Sequence, residues 1–315
     1  RWRRTMSIRQ TSIPGALADV PLAPMTTYKL GGSAAWFVDV GDADHLEAVL
    51  QSTPGGMDLL LLGRGSNLLI SDMGFPGLVV RLTGEFLNVT VEHDGVVRAG
   101  GAAPLPRVAR SSAEAGRCGL EFLAGIPGTV GGGVMMNAGG HGDEIAQRLL
   151  GAVIVDRTTG NRTERTADDL ELAYRHSNLG AGDIVVSARF RTDPCERGAA
   201  EARIREITRW RKDHQPGGTF NAGSVFKNPS RDAAGRLIDQ AGLKGFRRGG
   251  VAVSEMHANF FVADEHATAQ DVWDLVWAVR RRVGEALGVW LTPEIRFAGT
   301  FKRSGDEELG PETPA

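Results

Sequence analysis

Five short segments hold the residue types that could do chemistry. Asn221-Ala222-Gly223-Ser224-Val225-Phe226-Lys227-Asn228-Pro229 gathers a hydroxyl, an ammonium and two carboxamides in one compact loop. Tyr174-Arg175-His176-Ser177-Asn178 places a phenol, a guanidinium and an imidazole at the end of an apolar stretch that starts at Leu170. Pro293-Glu294-Ile295-Arg296-Phe297 carries one acid in a strand-like apolar run, where a lone Glu also suits a sheet-edge ion pair. Gly63-Arg64-Gly65-Ser66-Asn67 follows a buried strand. Its successive backbone N–H groups could form an anion nest, with Ser66 and Asn67 adding side-chain donors, and the same composition suits an ordinary turn. Between Gly125 and Gly142, eight of 18 residues are glycine. Glycine this dense among Leu120, Phe122, Leu123, Ile126, Val134 and Met135 suggests bare backbone against something flat or phosphorylated, or else close internal packing.

Other chemistries find no support. The chain has no G-x-x-x-x-G-K-[ST] and no H-E-x-x-H, and Gly63-Arg64-Gly65-Ser66-Asn67-Leu68 lacks the third glycine of a dinucleotide fingerprint. Ser224 is flanked by Ala222 and Phe226 rather than by the glycines of a hydrolase elbow. Cys118 and Cys195 have no metal-ligand spacing, so no metal site is expected; two free thiols in a reducing compartment are the simplest reading, with one disulfide as the alternative. A net charge of −2 over 315 residues argues against a dedicated nucleic-acid binder. No run of 18 apolar residues exists to span a membrane, and no apolar segment follows Arg1-Trp2-Arg3-Arg4 as a signal peptide would require. Met6 reads as a natural start, and a cytoplasmic monomer is expected. Glycine, at 42 residues, is unusually abundant, and hydrophobic residues at 42 % suffice for a sizeable core.

The elements that must position these segments alternate between strand and helix. Strands are expected at 35–40, 58–62, 77–82, 86–91, 95–99, 152–156 and 183–190, and helices at 44–51, 104–115, 196–212 and 234–241. The clearest helix runs from 268 to 287. Val272, Leu275, Val276, Val279, Val283 and Leu287 recur on one face, Trp273 and Trp277 widen it, and Thr268 with Asp271 can form a capping box. A shift to charged helix and polar loop marks a boundary near 195–215, and residues 303–315 read as a disordered tail.

Taken together, six ordered motifs over about residues 20–300 resemble the UDP-N-acetylenolpyruvoylglucosamine reductase family, flavoenzymes that make UDP-N-acetylmuramate for peptidoglycan. They are Thr26-Thr27-Tyr28-Lys29-Leu30-Gly31-Gly32; Leu62 to Leu69; Gly125 to Gly133 with Asn137-Ala138-Gly139; Tyr174 to Ser177; Gly223 to Pro229; and Pro293-Glu294. The resemblance implies an α+β fold. Its parts would be a two-lobed FAD-binding domain of the vanillyl-alcohol-oxidase type (20–204, lobes 20–82 and 83–204) and a C-terminal α+β substrate-binding domain (205–302).

It also implies non-covalent FAD, NADPH as reductant and UDP-N-acetylglucosamine enolpyruvate as substrate. FAD would lie against Leu62, Gly63, Arg64, Gly65, Ser66, Asn67 and Leu68. It would also meet Gly125, Ile126, Pro127, Gly128, Thr129, Gly131 and Gly132, with Asn137, Ala138 and Gly139. Arg175, Ser224 and Glu294 would be catalytic: a fixed cation for enolate-like charge, the proton donor to C2, and an acid that orients the substrate carboxyl region. Tyr174, Lys227 and Asn228 would bind substrate. The short spacing between Arg175 and Ser224 is similar to that of the subclass without an extra substrate-clamping segment. Where family members usually end a segment in Asn, this chain reads Ala263-Asp264 after Val253 to Val262. His257 and Asn259 within that segment are not expected to contact substrate, and the sequence assigns them no role. A flavin oxidase of the same superfold would leave the Arg175, Ser224 and Glu294 segments unexplained, and a non-catalytic UDP-sugar-binding relative would not need all three.

Overall fold

A computed structural model describes residues 11–303. The basic start, Met6 and all but the first residue of the expected 303–315 tail lie outside the described residues.

The first sheet is built from Leu17–Pro21, Ser33–Val40, Phe75–Leu82 and Leu59–Leu61, in that spatial order. Its last three strands run parallel, and Leu17–Pro21 is antiparallel to its neighbour. Helix α1 (Ala43–Ser52) starts where the Asp42 carboxylate accepts the His45 N–H, 2.8 Å away. Its Leu46, Val49 and Leu50 bury against Val38, Val40, Leu78 and Val80 of the sheet. The expected strand at 86–91 is shorter than its pattern. Gly84, at φ 51°, lies so close to the Gly41 carbonyl that a Cβ would sit 2.3 Å from its oxygen. The chain therefore turns through a 3₁₀ segment, Gly84–Leu87, before strand Val89–Val91 begins.

A second, antiparallel sheet has the order Arg162–Thr166, Leu149–Asp156, Asp183–Phe190, Val97–Gly100, Val89–Val91. Helices α2 (Leu105–Glu114) and α3 (Val130–Met135) cover it, burying Leu105, Val108, Val130 and Val134 with Phe122 and Phe190. Beside it, Arg117–Cys118 pairs with Asp193–Pro194, and this brings Cys118 and Cys195 together as a disulfide. The simplest reading of the sequence, two free thiols, is thus corrected. The sequence separation of 77 hides a proximity that only the pairing of two-residue strands creates.

Helix α4 (Arg197–His214) leads to the third part. There the strands Arg247–Arg248, Val251–Val253 and Phe261–Ala263 pack with α5 (Ala234–Gln240) and α6 (Ala269–Leu287). The α6 capping box forms as its sequence indicates, and Gly288 ends the helix at φ 69°. Val272, Leu275, Val276, Val279 and Val283 are fully buried. Asp72, from the first part, accepts the Ala269 and Gln270 N–H groups at 2.9 Å each. The chain then returns. Arg296–Ala298 pairs in parallel with Leu68–Ile70, and Tyr28 inserts into the third core with its hydroxyl donating to the Phe261 carbonyl at 3.1 Å.

Candidate active site

Arg175 sits at the tip of a two-residue turn closed by the Ala173 and His176 main chains, each N–H donating to the other's carbonyl. Its φ is 53°, a left-handed conformation that costs a non-glycine residue on the order of 1–3 kcal/mol. Neighbouring structure holds it there. The fully buried Asn137 donates from Nδ2 to the Ala173 carbonyl at 3.0 Å and accepts the Ala146 N–H at 2.9 Å. From this tip the guanidinium reaches Glu294 Oε1 (Nε, 2.7 Å) and the Gly139 carbonyl (Nη2, 3.2 Å), with its Cζ 5.1 Å from the Tyr174 ring centroid.

Glu294 is mostly buried. Burial raises its carboxyl pKa, while the charges of Arg175 and Lys227 work in the opposite direction. A half-buried pair of this kind is weak evidence for stability, but it fixes both groups in space. Main-chain bonds bring Ser224 to the same place. The Glu294 N–H donates to Val225 O at 2.7 Å, and the Lys227 N–H donates to Thr292 O at 2.9 Å. On the other flank Ser224 bridges to Phe260, and Asn259 brackets Phe226. Arg175 and Glu294, 119 apart in sequence, are therefore paired, and the main chain next to Ser224, 70 residues before Glu294, is bonded to that of the acid.

A cavity of about 350 Å³ opens beside it, lined by Gly139, Gly140, Glu144, Tyr174, Arg175 and Asn228 among others. Asn228 caps α5 by accepting the Ala234 N–H at 2.9 Å, and its own N–H donates to the Tyr174 hydroxyl at 3.2 Å. A larger hollow of about 590 Å³, between α1 and the second sheet, is lined by none of these residues. Among the described residues no His/Cys/Asp/Glu group is arranged to hold a metal, and no helix is long and apolar enough to cross a membrane.

The two glycine-rich loops meet next to this site. Ser66 Oγ donates to the Pro127 carbonyl, a Cβ on Gly63 would lie 2.9 Å from Thr129 Oγ1, and one on Gly128 would lie 3.3 Å from Ser66 Oγ. Leu62 and Leu68 bracket the first loop, Leu62 through its N–H to Val80 O and Leu68 through its strand. Asn67 ties that loop to the acid: its Nδ2 donates to the Glu294 carbonyl at 3.1 Å, and its carbonyl accepts the Arg296 N–H. In the second loop Gly131 donates to Gly101 O, while Ile126 is half-buried and Gly132 exposed. Ala138 continues from the second loop through its N–H to Gly133 O, while Asn137 and Gly139 bond the Arg175 turn.

Comparison with known proteins fits this arrangement. A family model for an FAD binding domain matches residues 34–164, and one for the UDP-N-acetylenolpyruvoylglucosamine reductase C-terminal domain matches 215–298. The chain is 43 % identical over 289 residues to the UDP-N-acetylenolpyruvoylglucosamine reductase of Parvibaculum lavamentivorans, covering 92 % of this chain and 93 % of the relative. It is 44 % identical to that of Acidiphilium cryptum, covering 89 % and 90 %. The chain belongs to the UDP-N-acetylenolpyruvoylglucosamine reductase family. The crystal structure of the Thermus caldophilus reductase superposes with a TM-score of 0.78 at 36 % identity, covering 89 % of this chain and 98 % of that one. The α+β class and the FAD-binding domain are as the sequence indicated, and the protein is an FAD-dependent oxidoreductase of a family acting on a UDP-sugar.

The residues present fit that cofactor. The N–H groups of Gly63 to Asn67 donate to no described residue, and Gly65, at φ 58°, would place a Cβ 2.7 Å from the Thr26 Cα. A row of unspent amides on a turn pinned at Gly65 suits a diphosphate.

Sequence reasoning missed Asn137 as the clamp on the Arg175 turn and Asn259 as the clamp beside Ser224. Each is an amide inside an apolar or small-residue run, Met135-Met136-Asn137-Ala138 and Ala258-Asn259-Phe260-Phe261, and that was the available signal.

Proposed function

We propose that this chain reduces UDP-N-acetylglucosamine enolpyruvate to UDP-N-acetylmuramate with NADPH, as a step in peptidoglycan precursor synthesis. The observation that carries this reading is the convergence of Arg175, Glu294 and the Ser224 segment beside the glycine-rich loops. FAD, bound non-covalently at the Gly63–Asn67 and Gly125–Gly132 loops, would supply hydride derived from NADPH to C3 of the enolpyruvyl group.

Hydride addition at C3 leaves enolate-like charge on C2 and the adjoining carboxylate. Arg175 answers it: a guanidinium is permanently charged, forks onto carboxylate, and here is pre-oriented by Gly139 and Tyr174. Binding would exchange the Glu294 carboxylate for that of the substrate. Glu294, freed from Arg175 and buried, would take up a proton and donate to the substrate carboxyl region. Ser224 delivers the proton to C2. An alkanol is a weak acid, but an enolate-like carbon is a strong enough base to deprotonate it when held in place. Lys227, Asn228 and Tyr174 hold diphosphate or carboxylate oxygens. In this reading residues 20–204 form the flavin domain, residues 205–302 close over the substrate, and the protein works as a cytoplasmic monomer without a nucleic-acid or membrane partner.

Ser224→Ala tests the proton assignment. NADPH-driven flavin reduction should stay near the wild-type rate, and reoxidation by the enolpyruvyl sugar should slow on the order of 10²–10⁴-fold in stopped-flow absorbance. Equal loss in both half-reactions would remove Ser224 from the proton-donor role.

A further inference from the structure

We propose that Asn259 is a positioning residue for Ser224, its buried carboxamide setting the register and height of the backbone that presents the hydroxyl; the inference rests on the reading of Ser224 as proton donor. Asn259 is 3 % exposed, so it meets no substrate. Its Oδ1 accepts the Phe226 N–H at 2.9 Å, its Nδ2 donates to the Phe226 carbonyl at 2.8 Å, and its own carbonyl accepts the Val225 N–H at 2.9 Å. One residue thus satisfies three main-chain groups of the two residues that follow Ser224.

A carboxamide is suited to this because it carries a donor and an acceptor side by side, as a peptide group does. The need is local. The Ser224 segment joins its neighbours through isolated bridges, Ser224 to Phe260 and Phe226 to Pro293, rather than through a continuous ladder. A slip of one residue in such a segment would turn Ser224 to the opposite face. Asn259 forbids the slip, because its two amide atoms must find the N–H and the C=O of one residue, Phe226. The opposite flank is fixed by the Glu294 N–H on Val225 O, so the carboxamide also sets the distance between Ser224 and the acid.

The test compares Asn259→Ala and Asn259→Asp with wild type in the FAD-loaded enzyme. It follows NADPH-driven reduction and enolpyruvyl-sugar-driven reoxidation separately across pH. A neutral carboxylic acid can reproduce both bonds to Phe226, with C=O accepting and O–H donating, whereas a carboxylate cannot donate and repels the Phe226 carbonyl. Asn259→Asp should therefore reoxidise at close to the wild-type rate at the acid end and fall on the order of tenfold below it as pH rises, while reduction keeps its ratio to wild type. Asn259→Ala should lose on the order of 10²-fold in reoxidation at every pH.

The ionisable groups around the position are His257, whose Nδ1 accepts the Asn259 N–H at 3.3 Å, and Lys244, whose charge acts on His257; on the other flank of the Ser224 segment lie Glu294, which Arg175 pairs, and Lys227. These groups are common to wild type and variant, and the ratio removes their contribution. Amide hydrogen exchange in the flavin-free protein gives a readout independent of turnover, and the Val225 and Phe226 amides should exchange faster in Asn259→Ala. An Asn259→Asp reoxidation profile parallel to that of wild type would overturn the inference alone. A wild-type enzyme that NADPH reduces but the enolpyruvyl sugar does not reoxidise would overturn the proposed function, and this inference with it.

Discussion

Glu294 changes partners during the proposed cycle, and its charge state should be visible in the pH dependence. Burial already raises its carboxyl pKa against the opposing pull of Arg175 and Lys227. A substrate carboxylate that takes Arg175 removes the nearer cation, so the pKa rises further in the complex. The protonated acid donates to the substrate and the ionised form repels it. The rate of enolpyruvyl-sugar-driven reoxidation should therefore fall as pH climbs through this raised pKa. Glu294→Gln, which keeps a donor but cannot ionise, should flatten that limb of the stopped-flow profile. A limb of unchanged position in Glu294→Gln would place the titration elsewhere. Arg175 illustrates why residue type alone under-describes the site. Its permanent charge is plain in the sequence, but its left-handed backbone and the Asn137 clamp are consequences of tertiary packing.

At the scale of elements, the flavin loops work by leaving backbone bare. Gly65 combines φ 58° with a Cβ position 2.7 Å from the Thr26 Cα, so any side chain must displace the Met25–Thr26 main chain. Gly65→Val should weaken FAD binding by roughly 10–100-fold, the equivalent of 1–3 kcal/mol of local strain, in a fluorescence titration of the flavin-free protein. An unchanged Kd would separate this loop from the cofactor. Much at this scale was legible. The α6 stripe and its capping box, α2, α4 and the strand at 183–190 stand where their periodicity put them, because each is specified by its own residues. The strand Arg162–Thr166 was not foreseen, for its side chains are nearly all exposed and carry no alternation. The 86–91 segment was over-read, because the close approach of Gly84 to Gly41 is a contact between chain segments and not a local propensity. The parallel pairing of Arg296–Ala298 with Leu68–Ile70, which sets Glu294 against the first flavin loop, joins segments more than two hundred residues apart.

The whole molecule gathers its site from three regions of chain and stabilises the middle one with a cross-link. The Cys118–Cys195 loop encloses the second glycine-rich loop, Asn137 and Arg175. Closing a loop of this length should contribute about 2–4 kcal/mol through the unfolded chain. Neither cysteine lines the Arg175 cavity, so reduction with dithiothreitol should lower the urea-unfolding free energy by that amount and leave both half-reactions at their rates. Loss of flavin reduction on thiol treatment alone would show that the cross-link shapes the site. This independence matters because a reducing cytoplasm would hold the pair as thiols.

The central claim, that one cleft passes reducing equivalents from NADPH to an enolpyruvyl UDP-sugar, is tested most directly by an anaerobic titration of the purified, FAD-loaded protein. NADPH should bleach the flavin, and UDP-N-acetylglucosamine enolpyruvate added next should restore the oxidised spectrum in proportion to the sugar supplied. A flavin that bleaches and stays bleached in the presence of the sugar would contradict the account.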